Sequence, residues 1–183
     1  MRHVRFKAVR KHVLFLAVAA AYLLSANQLY ARIFIHHGRP ETANISLPSA
    51  GQAAILKVSD MRLTREDGQD VYELRGFAFL SRNPGLEHQI RVVLQAQEGT
   101  NLIFATQPAT APAMVRSSGY RDLGVEHSEF RALISKYAVP EGSYQIGILL
   151  EPASGADTTA TYTLTGATVR RTPNFLRYTR PPE

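Results

Sequence analysis

Residues His88–Ala96 read HQIRVVLQA, and this stretch decides the fold class. Every second residue in it is apolar, which is the period of two expected of a β-strand with one face on a core. The residues that share the predicted core face are Ile90, Val92, Leu94 and Ala96.

Similar short stretches, divided by turn residues, lie on both sides of this strand. We predict strands at 55–64, 71–80, 101–106, 128–135, 144–150 and 160–170, with an irregular stretch at 113–124 that holds at most a turn of helix. The first strand slips phase between Val58 and Met61, as a β-bulge would cause. In the last strand, Tyr162 and Leu164 are predicted to face the core. About seven short strands in about 120 residues indicate an all-β fold, an Ig-like β-sandwich.

The N-terminal end of the chain has a different composition. Residues 13–31, VLFLAVAAAYLLSANQLYA, carry no formal charge. As a helix they would reach about 28 Å, close to the ~30 Å hydrocarbon thickness of a bilayer. The basic residues that precede them, and that the positive-inside rule places in the cytoplasm, are Arg2, Arg5, Lys7, Arg10 and Lys11.

This pattern predicts a single-pass protein of the cell membrane with its C-terminal domain outside the cytoplasm. The alternative is a cleaved signal peptide and a secreted body, and both readings export the folded domain. We therefore divide the chain into a cytoplasmic basic stub (1–12), a transmembrane signal-anchor helix (13–35), a linker (36–52), an extracytoplasmic β-sandwich (53–171) and a basic flexible tail (172–183).

The net charge of +6 comes from the two ends of the chain. Residues 1–12 hold five basic residues and residues 170–183 carry a net charge of +3, which leaves residues 13–169 at −2. A mildly acidic body does not favour nucleic acid as a partner. The charged ends suit a different partner, and we predict that the five N-terminal basic residues, with Arg177 and Arg180, contact a membrane or another anionic surface.

The sequence lacks the motifs of the common enzyme classes. There is no cysteine, and therefore no thiolate nucleophile, disulfide or iron–sulfur cluster. A Gly-x-Ser-x-Gly elbow, a phosphate-binding glycine loop and a His-Glu-x-x-His zinc motif are also missing. We expect no catalytic residue, no metal and no cofactor, and hence not an enzyme.

Two groups of residues are candidates for a binding site. The densest polar cluster is Asp122, Glu126, His127 and Glu129, which with His88 would offer carboxylates and imidazoles for a divalent ion or for acid–base chemistry. Because the cluster leads from a turn into a strand, we interpret it as an ordinary solvated surface loop.

Two tyrosines form the second candidate group. Tyr120 and Tyr137 lie in irregular segments and are the aromatic rings predicted to be free to stack on a sugar.

The order of several stretches resembles a known type of domain. RGFAFL (75–80), IRVVLQAQ (90–97), EFRALI (129–134), EGSYQIGILLE (141–151) and TYTLTGATV (161–169) resemble a domain that recurs in bacterial membrane-anchored envelope proteins of unassigned function. The likeness covers roughly residues 71–169 and differs at Phe77, where tryptophan is expected. It implies a β-sandwich outside the cytoplasmic membrane, near machinery that handles envelope polysaccharide, and it brings no catalytic residues.

These observations predict a non-catalytic, membrane-anchored accessory or interaction module on the extracytoplasmic face that binds a cell-envelope membrane protein complex. The alternative is a carbohydrate-binding module that faces envelope polysaccharide through Tyr120 and Tyr137.

Overall fold

A computed structural model describes residues 18–22, 38–41, 47–48, 53–97, 101–109, 113–120, 123–152 and 159–180. The chain divides into two compact units, residues 1–36 and residues 37–183. In the first unit residues 18–22 are helical, and the rest of the predicted anchor and all of the stub lie outside the described residues. Among the described residues, no helix has the length and apolar character needed to span a membrane.

The second unit is built on an antiparallel sheet of eight strands. The strands are β1 (Ala54–Glu66), β2 (Gln69–Leu80), β3 (His88–Ala96), β4 (Asn101–Pro108), β5 (Glu129–Ile134), β6 (Gly142–Pro152), β7 (Thr161–Arg171) and β8 (Leu176–Thr179), with a short helix α1 (Ala113–Ser117) between β4 and β5. Their order in the sheet is β1-β2-β5-β4-β3-β6-β7-β8, and the sheet curls until it is nearly barrel-shaped. The predicted all-β class is confirmed, with eight strands instead of about seven.

Strand β4 joins the two halves of this curled sheet. Its residues 101–105 pair with β3, whereas 106–108 pair with β5. The halves β1-β2-β5 and β3-β6-β7-β8 contribute side chains to one shared core, which includes Leu74, Phe104, Phe130 and Ile148. The core therefore lies inside the curled sheet, and a narrow seam of three residue pairs between β4 and β5 joins its two halves.

The patterns used to predict β1 and β3 are confirmed. Ile90, Val92 and Leu94 are 6 %, 0 % and 0 % exposed, and Ala96 packs against the same core. The register of β1 with β2 shifts between Val58 and Met61, where the phase slip predicts a bulge. Periodicity along these strands therefore identified both the core face and its interruption.

The outer face of the sheet is also covered, by two smaller apolar clusters. Helix α1 and the segment after it place Val115 and Val125 on Phe77 and Phe79 of β2. Leu47 and Tyr162 belong to the second cluster, whose buried members are Val93, Ile103 and Leu149. Strand β3 is therefore buried on both faces.

The prediction that Tyr162 and Leu164 face the core is wrong. Tyr162 packs in the outer cluster, and Leu164 is 47 % exposed. A bulge interrupts β7 beyond these residues, where the β6–β7 register shifts and Gly166 takes a φ of 76°. Thr165 Oγ1 donates to Ile146 O and accepts from Ala167 N within this bulge. The bulge adds two residues to β7 and preserves the alternation, so Thr161 before it and Ala167 and Val169 after it are buried on the same phase, and Tyr162 and Leu164 lie on the other phase.

The tail from residue 172 is not loose over the part that the structure describes. β8 pairs with residues 168–171 of β7, and Leu176 is 5 % exposed in the core. The backbone N–H of Leu176 donates to the Tyr72 hydroxyl at 3.1 Å. A strand of four residues is too short to show a hydrophobic period, so the sequence of the tail did not predict β8.

The predicted linker at 36–52 is likewise held against the domain at two described places. Ser135 N donates to Gly38 O at 2.9 Å, and Glu41 N donates to Ile103 O at 2.6 Å. The Glu41 carboxylate also pairs with Arg91, and Leu47 packs on the outer cluster. Residues 38–41 are therefore bound by backbone hydrogen bonds to β4 and to Ser135, the residue that follows β5.

Candidate functional site

A cavity of about 160 Å³ lies where the start of β3, the end of β4 and the start of β5 meet. Its polar lining includes His88, Gln107, His127 and Glu129, and Ile90 and Phe130 contribute to the apolar lining. A cavity of similar size is known to hold a benzene-sized ligand. The space is therefore large enough for a small organic group.

The sheet opens here because the pairing of β3 with β4 stops at Arg91 and Ala105, whereas β4 continues beside β5 as far as Pro108. Thr106 Oγ1 donates to Ile90 O at 2.6 Å, which ties β4 to β3, and Ala109 N donates to Glu129 O at 3.0 Å. Between these bonds lies Pro108, which has no N–H to donate to a ladder. The cavity forms at this strand end, beside the first residues of β5.

The imidazole of His88 lies at the edge of this site. Its Nδ1 donates to the carbonyl oxygen of Leu86 at 2.7 Å, because a carbonyl only accepts. Its Nε2 is buried and has no hydrogen-bond partner among the described residues, so it does not open onto the cavity.

Glu129 is a second polar residue that lines this cavity. The residue is only 4 % exposed, and its Oε1 accepts a hydrogen bond from the backbone N–H of Val115 in α1. Within the described part of the chain, no Lys, Arg or His forms a salt bridge with it. The interpretation of this cluster as a solvated loop is therefore wrong for Glu129, because α1 covers it, whereas His127 is exposed as expected.

A second cavity, of about 30 Å³, shares His88 and His127 with the first. It has room for about one water molecule. Asp122 and the side chain of Glu126 lie outside the described residues. Among the residues that are described, no group of three or more His, Asp and Glu could hold a metal ion.

Tyr120 and Tyr137 do not form one platform. Tyr120 packs edge-on against Phe77 and Phe79, with ring centroids 6.0 and 5.4 Å apart. Tyr137 is 68 % exposed and lies beyond the other end of β5, a strand about 17 Å long. The ring of Tyr120 therefore packs on the protein, and only that of Tyr137 is open to a ligand.

The basic residues predicted to touch an anionic surface are described only at the C-terminal end. Arg177 is exposed and lies opposite Arg170 in the β7–β8 register, which sets two cations side by side. Arg180 is exposed, and its positive charge helps to lower the pKa of Asp60. The main cause of that lowered pKa is the hydrogen bond from Arg62. Arg2, Arg5, Lys7, Arg10 and Lys11 lie outside the described residues.

Comparison with known proteins finds no significant match among protein-family models, curated proteins or solved structures.

The cavity combines residues that sequence reasoning grouped and residues that it missed. His88, His127 and Glu129 were grouped by their chemistry. Gln107 and Pro108 were missed because an extended, proline-containing stretch carries no sign of the space beside it. The only local signal was the polar residue Glu129 at the start of a mostly apolar strand.

Proposed function

We propose that this chain is a non-catalytic, membrane-anchored interaction module on the extracytoplasmic face. In this proposal residues 13–35 span the cell membrane, the sandwich-like domain with its two facing halves lies outside, and its partner is a cell-envelope membrane protein complex. The binding of the segment Gly38–Glu41 to the sheet is the observation that carries the proposal.

The bound segment leaves almost no tether. Gly38 is hydrogen-bonded to Ser135 and lies three residues after Ile35, where the proposed anchor ends. Three residues span at most about 10 Å even when fully extended. A domain on so short a tether suits contact with a neighbouring membrane protein better than a search for distant polymer.

The surface beside Ser135 has the chemistry of a membrane-facing surface. The next two residues are Lys136 and Tyr137, and the Lys136 ammonium lies 5.0 Å from the centroid of the Tyr137 ring. Exposed tyrosine and lysine are the residues that place an apolar body and a polar tip at a bilayer interface. Tyr137 therefore supports membrane proximity at least as well as sugar stacking.

A pull-down in mild detergent from the native membrane tests this proposal. The full-length chain is compared with a form that lacks residues 1–36 and with a form in which residues 13–35 are replaced by an unrelated membrane span. The truncation stops at 36 so that Gly38–Glu41 remains. We expect a stoichiometric membrane protein to accompany the full-length chain and to be lost with the truncation.

The replaced span separates two versions of the proposal. If the partner is retained, the domain binds it once it is held at the membrane. If the partner is lost, the residues of the native span make the contact. A full-length chain that purifies alone would contradict the proposal.

The alternative of a carbohydrate-binding module is favoured by the exposure of Tyr137. Tyr137→Ala would then abolish binding of envelope polysaccharide, whereas Tyr120→Ala would act only through packing on Phe77 and Phe79. A glycan screen with these two variants, made in the full-length chain, distinguishes this alternative from the interaction module.

A further inference from the structure

We propose that one surface of the domain docks on the anionic lipid headgroups of a bilayer. This surface, the basic–aromatic patch, consists of Lys136, Tyr137, Arg170, Phe175 and Arg177. The inference rests on the proposed function for the nearness of a membrane, and it adds that the lipid itself is a ligand of the domain. The exposure of two aromatic rings, the contacts between the residues and their charge support it.

Hydrogen bonds join the two parts of the patch. Phe175 lies in the turn from β7 to β8, and the Lys136 ammonium donates to the carbonyl oxygen of Asn174 in this turn at 3.4 Å. Arg171 Nε donates to the carbonyl oxygen of Lys136 at 2.8 Å. The short segment that follows β5 is therefore fastened to the β7–β8 turn, and Tyr137 and Phe175 belong to neighbouring parts of one surface.

Both aromatic rings of the patch are exposed to solvent. Tyr137 is 68 % exposed and Phe175 is 46 % exposed, and the Lys136 ammonium lies 5.0 Å from the centroid of the Tyr137 ring. Aromatic rings beside basic side chains are typical of protein surfaces at the level of lipid headgroups. The ring of Phe175 has no polar atom, so it favours a ligand with an apolar layer beneath its charged surface, and a bilayer has both.

The charge of the patch is positive. Arg177 and Arg170 are exposed and lie opposite each other in the β7–β8 register, and the residue of β6 opposite Arg170 is the uncharged Ser143. Lys136 adds a third cation, and Glu141, an exposed acid two residues before Ser143, offsets one of the three. The net positive charge suits an anionic surface, near which each Lys or Arg favours docking about fivefold.

The tether begins beside the patch. Ser135 N donates to the carbonyl of Gly38, and Lys136 and Tyr137 follow Ser135 directly in the sequence. Residues 1–40 contain no Asp or Glu, so the chain that leads from the proposed anchor to Gly38 brings no negative charge to this surface. Lipid headgroups are therefore the anions that so short a tether holds within reach of the patch.

Fluorescence quenching in lipid nanodiscs tests the proposal on the full-length chain. The sequence contains no tryptophan, so Phe175→Trp places a single reporter in the patch. Leu164→Trp is the matched control, because Leu164 is 47 % exposed and lies on β7 outside the patch. The discs are made of phosphatidylcholine with brominated acyl chains, which quench tryptophan, with or without added phosphatidylglycerol.

We expect the Phe175→Trp reporter to be quenched in the anionic discs and to recover at high salt, which screens the attraction between exposed charges. The Leu164→Trp reporter should remain unquenched. Equal quenching of Phe175→Trp in neutral and anionic discs would contradict recognition of the lipid charge. No quenching in either disc would overturn the proposal and leave the patch to a protein partner.

The failure of this inference is distinct from the failure of the proposed function. A chain that enters the discs without quenching keeps its anchor and lacks the docking surface. A chain that does not enter the discs lacks the anchor, and it is then mixed with preformed vesicles of the same two lipid compositions. Quenching by the anionic vesicles alone would support the patch, and quenching by neither would overturn it.

Charge variants locate the docking surface. Arg170→Gln with Arg177→Gln, made in the Phe175→Trp chain, should lower the ratio of docked to undocked domains roughly thirtyfold, because each lost cation accounts for about fivefold. Lys57→Gln with Arg82→Gln is the matched control, since it removes the same charge from exposed residues at the end of the sheet where β5 begins. Undiminished quenching in the first pair, or an equal loss in the second, would refute the assignment.

Discussion

The backbone N–H of Ser135 donates a hydrogen bond to the carbonyl of Gly38, across the place where β4 and β5 separate. The register of these strands, continued beyond Thr106 and Ala132, would pair Ser135 with Ile103. Instead, Ser135 bonds to Gly38 and Ile103 bonds to Glu41. The segment Gly38–Glu41 therefore fills the gap between two strands that no longer reach each other.

Gly38→Ala should detach this segment. Gly38 has a φ of 72°, and a Cβ there would lie 2.3 Å from Ser135 N, a backbone atom that cannot move aside. We expect a loss of about 1–3 kcal/mol in the free energy of unfolding, measured with urea. Gly68→Ala is the control, since Gly68 has a similar φ of 80° but an added Cβ there would meet no atom within 4 Å. An equal loss in both variants would show that backbone strain alone is responsible.

Leu176→Ala should destabilise the domain although residue 176 lies in a tail predicted to be flexible. Leu176 is 5 % exposed and packs in the main core, so its truncation leaves a cavity. The expected loss in unfolding free energy is about 2–5 kcal/mol. Its neighbour Phe175 is 46 % exposed, and Phe175→Ala should change stability far less. Similar effects of the two substitutions would mean that β8 does not pack on the core.

Gly147→Ala should disturb the outer cluster through Tyr162. A Cβ on Gly147 would lie 2.3 Å from the ring of Tyr162, whose hydroxyl donates to Gln95 Oε1 at 3.0 Å. The displaced ring would lose this bond, and we expect a destabilisation of about 1–3 kcal/mol. In the double variant with Tyr162→Ala, the loss of unfolding free energy, measured with urea, should be smaller than the sum of the losses in the two single variants. Full additivity would contradict the contact.

Alkaline pH should destabilise the domain. Burial raises the pKa of Tyr144, Tyr162 and Tyr178 above the usual 10.0. Above about pH 10 the unfolded chain therefore releases protons that the folded chain still holds, and stability that is complete below this pH falls as pH rises. The free energy of unfolding, measured from about pH 8 to pH 11, should show this decline.

Tyr178→Phe should reduce the decline in stability at alkaline pH and should not lower the free energy of unfolding at neutral pH. The Tyr178 hydroxyl is buried without a partner among the described residues, so its removal leaves no donor or acceptor unpaired. Tyr137→Phe, at a side chain that is 68 % exposed, is the comparison and should leave the decline as it is. An unchanged decline in Tyr178→Phe would argue against a contribution from this residue.

Local pattern predicted much of the sheet, and non-local contacts account for what it missed. The alternation in β3 and the phase slip between Val58 and Met61 are properties of neighbouring residues, and both were readable. In β7 the small residues Thr161, Ala167 and Val169 occupy the core phase, so the larger Tyr162 and Leu164 on the opposite phase indicated the wrong face. The binding of Gly38–Glu41 uses backbone atoms, which leave no pattern of side chains.

The candidate site was predictable in its chemistry and not in its geometry. His88, His127 and Glu129 could be grouped because acids and imidazoles near one another suit ligand binding. The burial of Glu129 depends on α1, whose five residues reach it through the N–H of Val115. No sequence period reports where such a short helix lies over a sheet.

The seam at β4 has a mechanical consequence. Any pull transmitted along the chain from residues 1–37 reaches the domain at Gly38 and Glu41, whose hydrogen bonds lie beside the three residue pairs that hold β4 to β5. The load therefore reaches these few hydrogen bonds before it reaches the long β1–β2 or β3–β6 ladders. Tension would strip the segment Gly38–Glu41 from the domain before either ladder is loaded.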